Sequence, residues 1–175
     1  MKSDPELTLA LSHAQFDLAN RLFFRLYQSS NLLHKHGTRA VAGVGSTIQQ
    51  WGVLGALARP RALREGMSLR DLTDFLMVSR QNLAGVLERL ESRGWVEKMT
   101  VDGDARLRRR RLSRSGIEAW DAMLGPISEF YRAALDDLSV EERLRLYQLL
   151  DRLKQGLAVL NASQDDLPSS TATRT

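Results

Sequence analysis

The stretch Val101-Asp-Gly-Asp-Ala-Arg106-Leu-Arg108-Arg-Arg-Arg111-Leu112 decides how this chain folds. Asp102-Gly103 is a dipeptide that tolerates the positive φ values of a tight hairpin. The flanking segments Trp95–Thr100 and Leu107–Leu112 are therefore expected to pair as two antiparallel strands around it. Arg106, Arg108, Arg109, Arg110, Arg111 and Arg114 fall within nine residues. So much positive charge on a ribbon suits a polyanion, although a basic run can also be no more than a solvated surface.

Immediately upstream the pattern is helical. Ser68-Leu-Arg-Asp71 is a capping box opening a short helix with Leu69, Leu72 and Leu76 inward. A tight turn at Met77-Val78 leads to Ser79, which caps a second helix from Arg80 to about Arg93. Leu83, Val86, Leu87 and Leu90 repeat at helical spacing on its inner face, and Gly94 closes it. Two short helices so joined read as a helix-turn-helix, and the basic hairpin after them as a wing. The fold class expected is mainly α with a small antiparallel β wing: a winged helix-turn-helix with long helices at both ends.

Those end helices come from two further periodic stretches. From about Leu9 to His36, Phe16, Ala19, Phe23, Leu26, Ser30 and Leu33 mark one face of a long helix, which Gly37 is expected to stop. Val41–Gly45 reads as a loop, and Thr47-Ile-Gln-Gln50 as a capping box opening a helix that ends at Arg59, before Pro60. After the wing, Ile117, Trp120, Met123, Leu124, Ile127, Tyr131, Ala134 and Leu138 continue a helical pattern that Gly125-Pro126 is expected to bend. Ser139-Val-Glu-Glu142 caps a last helix running to about Asn161, and the polar tail 163–175 reads as disordered. The resulting division is 1–46, an N-terminal dimerisation helix and loop; 47–113, the winged helix-turn-helix; 114–162, C-terminal dimerisation helices; and 163–175, the tail. The apolar stripes of the end helices need a cover, either a second copy of the chain or an intramolecular bundle.

Composition narrows the function classes. Residues 59–114 hold 14 Lys and Arg against 8 Asp and Glu, while the remainder holds 11 against 13, so the basic excess belongs to the middle. The chain has no cysteine, which excludes disulfides, thiolate metal sites and thiol redox switches. No apolar run of about 18 residues and no secretory leader pattern are present, so a cytoplasmic protein without a membrane association is expected. The histidines, His13, His34 and His36, lie in the first helical region, and His34 and His36 point to different faces. No metal or other cofactor is expected. Enzyme chemistry finds no phosphate-cradling glycine loop, no cysteine nucleophile and no triad in order.

The helix order, Thr47-Ile-Gln-Gln-Trp51-Gly-Val-Leu54, Leu87-Glu-Arg-Leu-Glu-Ser-Arg-Gly94-Trp-Val, and Asp102-Gly-Asp104-Ala-Arg106 with Leu112-Ser113-Arg-Ser-Gly116 together resemble the MarR (multiple antibiotic resistance regulator) family of bacterial transcription factors. The resemblance covers roughly residues 10–160. Ala105 stands where the family's wing usually has its first arginine, and the connection Pro60–Gly66 is longer and more basic than usual.

The resemblance implies that Ser79–Arg93 lies in the major groove of double-stranded DNA and the wing tip in the adjacent minor groove. Helical period then leaves Ser79, Arg80, Gln81, Asn82, Ala84, Gly85 and Arg89 toward the groove. Arg80 suits guanine O6 and N7; Gln81 or Asn82 suits adenine N6 and N7. Arg106 is expected to enter the minor groove, with Arg108, Arg110 and Arg114 on phosphates. The resemblance further implies a homodimer on a pseudo-palindromic operator, acting as a repressor that a small anionic effector releases. Aromatic or phenolic acids, or their coenzyme A thioesters, follow by family analogy. His34, His36, Arg39 and Trp51 form the expected effector set, against the plainer reading that cations at a helix C-terminus complement its dipole. The competing reading is an architectural or protein-interaction winged helix without effector control.

Overall fold

The computed structural model describes residues 5–101 and 104–165. The order is α1 (Pro5–Val41), a 3-10 turn (Ala42–Val44), α2 (Ile48–Leu57), α3 (Pro60–Glu65), β1 (Met67–Ser68), α4 (Leu69–Leu76), α5 (Arg80–Ser92), β2 (Val96–Val101), β3 (Asp104–Leu112), α6 (Arg114–Ala134) and α7 (Val140–Asp165). The chain divides into two units, residues 1–130 and 131–175.

Local sequence explains most helix starts. Thr47 Oγ1 accepts the Gln50 amide at 3.3 Å while Gln50 Oε1 accepts the Thr47 amide at 3.1 Å, so α2 opens on the expected reciprocal cap. Ser68 and Asp71 do the same for α4, at 3.1 and 3.0 Å. Ser139 and Glu142 repeat it for α7, at 3.2 and 2.9 Å. Ser79 Oγ accepts the Asn82 amide at 3.2 Å and opens α5. Such a cap contributes about 1 kcal/mol to helix stability.

Three readings are corrected. Gly37 does not stop the first helix. It is buried within the helix, about one turn before its end, where a Cβ would collide with Ile48 Cδ1, so its small size serves the approach of α2 to α1. The left-handed stop falls to Gly45, φ +70°, whose amide donates to the Ala42 carbonyl at 2.8 Å. Pro60–Gly66 is not a bare connection either: Pro60 occupies the first helical position of α3, where its missing N–H costs nothing. Between α3 and α4, Met67 and Ser68 pair with Arg110 and Arg109 as a third strand, giving the sheet order β1-β3-β2.

The expected hairpin is present as β2 and β3, in register Val96↔Leu112 through Thr100↔Arg108, with an irregularity between Thr100 and Val101. Its Asp102-Gly103 turn lies outside the described residues. So does most of the expected tail, while α7 itself extends past Asn161 to Asp165. The helix α6 continues through Gly125 and Pro126.

The core of the first unit joins Val41 of α1, Leu54 and Leu57 of α2, Leu72 of α4, Leu83, Leu87 and Leu90 of α5, and Met123 of α6, all essentially inaccessible. Burying each such side chain contributes about 1.5–3 kcal/mol. The core thus fixes α5 by one face and presents the other. Its C-terminal end is fixed separately: the Arg93 guanidinium stacks 3.6 Å above the Trp95 ring and donates to the Gly45 carbonyl at 2.6 Å, joining α5 to the α1–α2 connection.

Candidate nucleic-acid interface

The helix α5 meets the core through Leu83, Val86, Leu87 and Leu90, and the opposite face is open. Ser79, Arg80, Gln81, Asn82, Ala84 and Arg89 are exposed, and Gly85 is half-buried between them. A Cβ on Gly85 would meet only the tip of Arg89, at 3.9 Å. Nothing among the described residues therefore requires glycine there. No described acidic side chain pairs with Arg80 or Arg89 among the ion pairs of the described residues.

The wing divides its arginines between two tasks. Arg110 donates to Glu91 at 3.1 Å and is only 16% exposed; Lys98 reaches the same carboxylate at 2.9 Å. Arg109 donates to the carbonyls of Glu65 and Gly66 at 3.2 and 3.0 Å and lies 3.9 Å from Asp71. Arg111 pairs with Glu97 at 2.7 Å. The expectation that Arg110 holds a phosphate is corrected accordingly, because its guanidinium is taken up in fastening the wing strand to the end of α5. Arg114 donates to Glu118 at 3.2 Å in a pair that is fully solvent-facing, with the Arg114 side chain 94% exposed. Arg106 and Arg108 belong to β3, nearer the tip, and their side chains lie outside the described residues.

Electrostatics reinforce the frame. The Ser68 backbone amide, aided by the Ser68 hydroxyl and Arg109, holds the Asp71 carboxyl below its ordinary pKa against a partial desolvation. Glu142 is lowered in the same way by the Ser139 amide at the start of α7.

The effector set is divided by the structure. Because α1 runs through Gly37 to Val41, His36 and Arg39 are rotated about 200° and 140° around the helix from His34. Only His34 of the four lines a cleft of about 390 Å³, which lies among α1, α2, α4 and α5. Trp51 is instead buried, edge-on to Phe130 with ring centroids 6.1 Å apart. The cleft is otherwise lined by residues the sequence did not single out for an effector, among them Ser30 and Leu33 of α1, Ile48 and Gly52 of α2, and Leu76 and Val78 around the helix-turn-helix turn. Their signal was the i, i+3, i+4 spacing of Ser30, Leu33 and His34, which reads equally well as a partner-facing stripe. No group of three or more metal-binding side chains occurs among the described residues.

This arrangement, an open helix face backed by a core and a basic two-stranded wing, matches known proteins. The MarR family model matches residues 44–107, from the end of the 3-10 turn into the first half of β3. The chain is 44% identical over 160 residues to the transcriptional activatory protein BadR of Rhodopseudomonas palustris, an alignment covering 87% of this chain and 91% of BadR. It belongs to the MarR family. This MarR-family chain is also 28% identical over 122 residues to the homoprotocatechuate degradative operon repressor of Escherichia coli, covering 70% and 78% of the two chains. Its fold is that of a mutant MarR from E. coli solved in complex with operator DNA, with a TM-score of 0.70, 21% identity, and 79% and 96% of the two chains covered. The MarR-family chain is thus a DNA-binding transcriptional regulator and not an enzyme. No helix among the described residues is long and apolar enough to cross a membrane.

Proposed function

We propose that the chain is a dimeric, sequence-specific regulator whose hold on a pseudo-palindromic operator is set by a small molecule in the α1/α2/α4/α5 cleft. One observation carries this reading: α5 presents Arg80, Gln81 and Ala84 outward, while Leu83 and Val86 of the same helix form a wall of the cleft. Occupancy of the cleft and contact with bases thereby fall on one rigid element.

Exposed apolar surface supports the dimer. Phe16, Phe23 and Tyr27 on α1 are 74%, 51% and 66% exposed, and Val140, Tyr147 and Val159 on α7 are 72%, 70% and 65% exposed. Such stripes favour burial against a second copy. Base contacts are assigned to Ser79, Arg80, Gln81, Asn82, Ala84, Gly85 and Arg89, and phosphate or minor-groove contacts to Arg106, Arg108 and Arg114. Of the expected effector residues His34 is retained. Whether the bound protein blocks or recruits polymerase depends on where the operator lies relative to the promoter; one relative is named an activator and another a repressor.

The test is equilibrium binding to DNA upstream of the chain's own gene, at fixed salt, with benzoate, 4-hydroxybenzoate and their coenzyme A thioesters. Selective binding relieved or strengthened by one compound is the expected result. Weak, salt-sensitive binding indifferent to sequence and compound would sink the proposal and favour an architectural module.

A further inference from the structure

The residues that follow α5 tie it to both long helices of the first unit. Arg93 comes directly after α5, and its amide closes the helix on the Arg89 carbonyl at 3.2 Å. Its guanidinium reaches back 48 positions to donate to the Gly45 carbonyl at 2.6 Å, and it also donates to the Val44 carbonyl at 3.4 Å. The same group stacks 3.6 Å above the Trp95 ring. Val44 and Gly45 end the 3-10 turn that continues α1, where a helix end leaves carbonyls without partners of its own. The fit is close, since a Cβ on Gly45 would lie 3.3 Å from the guanidinium. On the other side, the Gly94 carbonyl accepts the Ser115 hydroxyl at 2.7 Å and the Ser113 hydroxyl as well, at the start of α6.

Arginine is specific to this arrangement. Its planar fork takes two carbonyls at once while lying flat on an indole, which the point charge of a lysine cannot do. The core already holds α5 through Leu83, Leu87 and Leu90, so the arginine is left to set an angle and not to drive folding. We infer that Arg93 is a positioning residue for sequence reading: its fork on Val44 and Gly45 fixes α5 against the end of α1. This step rests on the dimeric, sequence-specific reading above, in which α1 carries the contact between copies and α5 meets the bases. Through α1, Arg93 then sets the separation of the two reading helices. A helix fixed in advance loses less freedom on binding, and two such helices match one spacing of half-sites.

The test uses the full-length chain and the DNA upstream of its gene, with the bound segment located by footprinting. Dissociation constants are measured for that DNA, for a copy with one base pair inserted at the centre of the segment, and for a random fragment of equal length. Wild-type protein is expected to lose at least tenfold on the inserted copy. Arg93→Ala is expected to melt cooperatively, to lose at least tenfold on the upstream DNA and to bind random DNA within threefold of wild type. It is also expected to distinguish native from inserted spacing by less than threefold. Arg93→Lys keeps the charge without the fork and is expected to behave as Arg93→Ala does. A lysine variant equal to wild type overturns the inference, because charge alone would then suffice. A folded Arg93→Ala with the wild-type spacing profile overturns it too. Equal losses on upstream and random DNA would make Arg93 a phosphate contact, and loss of cooperative melting would make it a prop of the fold; either result also overturns the inference. Wild-type protein indifferent to the inserted base pair or to sequence overturns the dimeric reading itself.

Discussion

The Arg110 guanidinium donates to the Glu91 carboxylate at 3.1 Å, joining the middle of a wing strand to the last turn of the outward-facing helix α5. Both side chains are mostly buried, at 16% and 22% exposure, so neither is free to trade this partner for water cheaply. Arg110→Ala is therefore expected to destabilise the fold by about 1–2 kcal/mol in urea unfolding. In a double-mutant cycle with Glu91→Ala the two losses are expected to be clearly non-additive. Additive losses would return Arg110 to the list of phosphate contacts.

Two helical glycines make opposite predictions. A Cβ on Gly116 would collide with the Trp95 carbonyl, which is fixed by the Ser113 amide at 3.1 Å. Gly116→Ala is expected to cost about 2 kcal/mol or more. Gly85 has room, so Gly85→Ala is expected to raise stability by up to about 1 kcal/mol. If the α5 backbone approaches the groove there, the same variant loses at least tenfold in operator affinity. Raised stability with unchanged affinity would remove Gly85 from the interface.

Met77 closes α4 in the left-handed region, φ 54° and ψ 41°, and is 64% exposed. A side chain there costs about 1–2 kcal/mol that glycine avoids, partly offset by glycine's greater freedom when unfolded. Met77→Gly is expected to stabilise the protein by about 0.5–1 kcal/mol, and Met77→Val to destabilise it; a lower melting temperature for Met77→Gly would contradict the strain argument.

Asp71 has its folded pKa depressed, chiefly by the Ser68 amide. Its contribution is thus complete above the unfolded aspartate value of about 3.9 and is lost as pH falls through the folded value. Asp71→Ala is expected to cost about 0.5–1 kcal/mol at pH 7, through the lost cap and helix-dipole interaction. The gap to wild type is expected to close on acidification below the ordinary carboxylate range. A gap that is constant down to pH 2.5 would show that the cap owes nothing to the charge.

The parts of this fold legible in the sequence are those set by neighbours in the chain. Thr47 with Gln50, Ser68 with Asp71 and Ser79 before Arg80 mark helix starts because each cap closes within three residues. The Leu83, Val86, Leu87, Leu90 face of α5 followed from period alone. What was missed depends on distant partners. Gly37 looks like a stop until Ile48 and Trp51 are seen packed on it. Arg110 looks like a phosphate ligand until Glu91, 19 positions away, takes it. Likewise His34, His36, Arg39 and Trp51 cluster in sequence, whereas the cleft draws its wall from four helices and keeps His34 alone.

The central claim, that α5 reads sequence, is tested most directly by Arg80→Ala. Its affinity is measured for the upstream DNA and for random DNA at one salt concentration. A bidentate contact to guanine predicts a loss of about 1–3 kcal/mol on the upstream DNA and little loss on random DNA. Equal losses on both, with the protein folded, would mean that Arg80 serves only the phosphate backbone and would contradict the assignment of α5 as the reading helix.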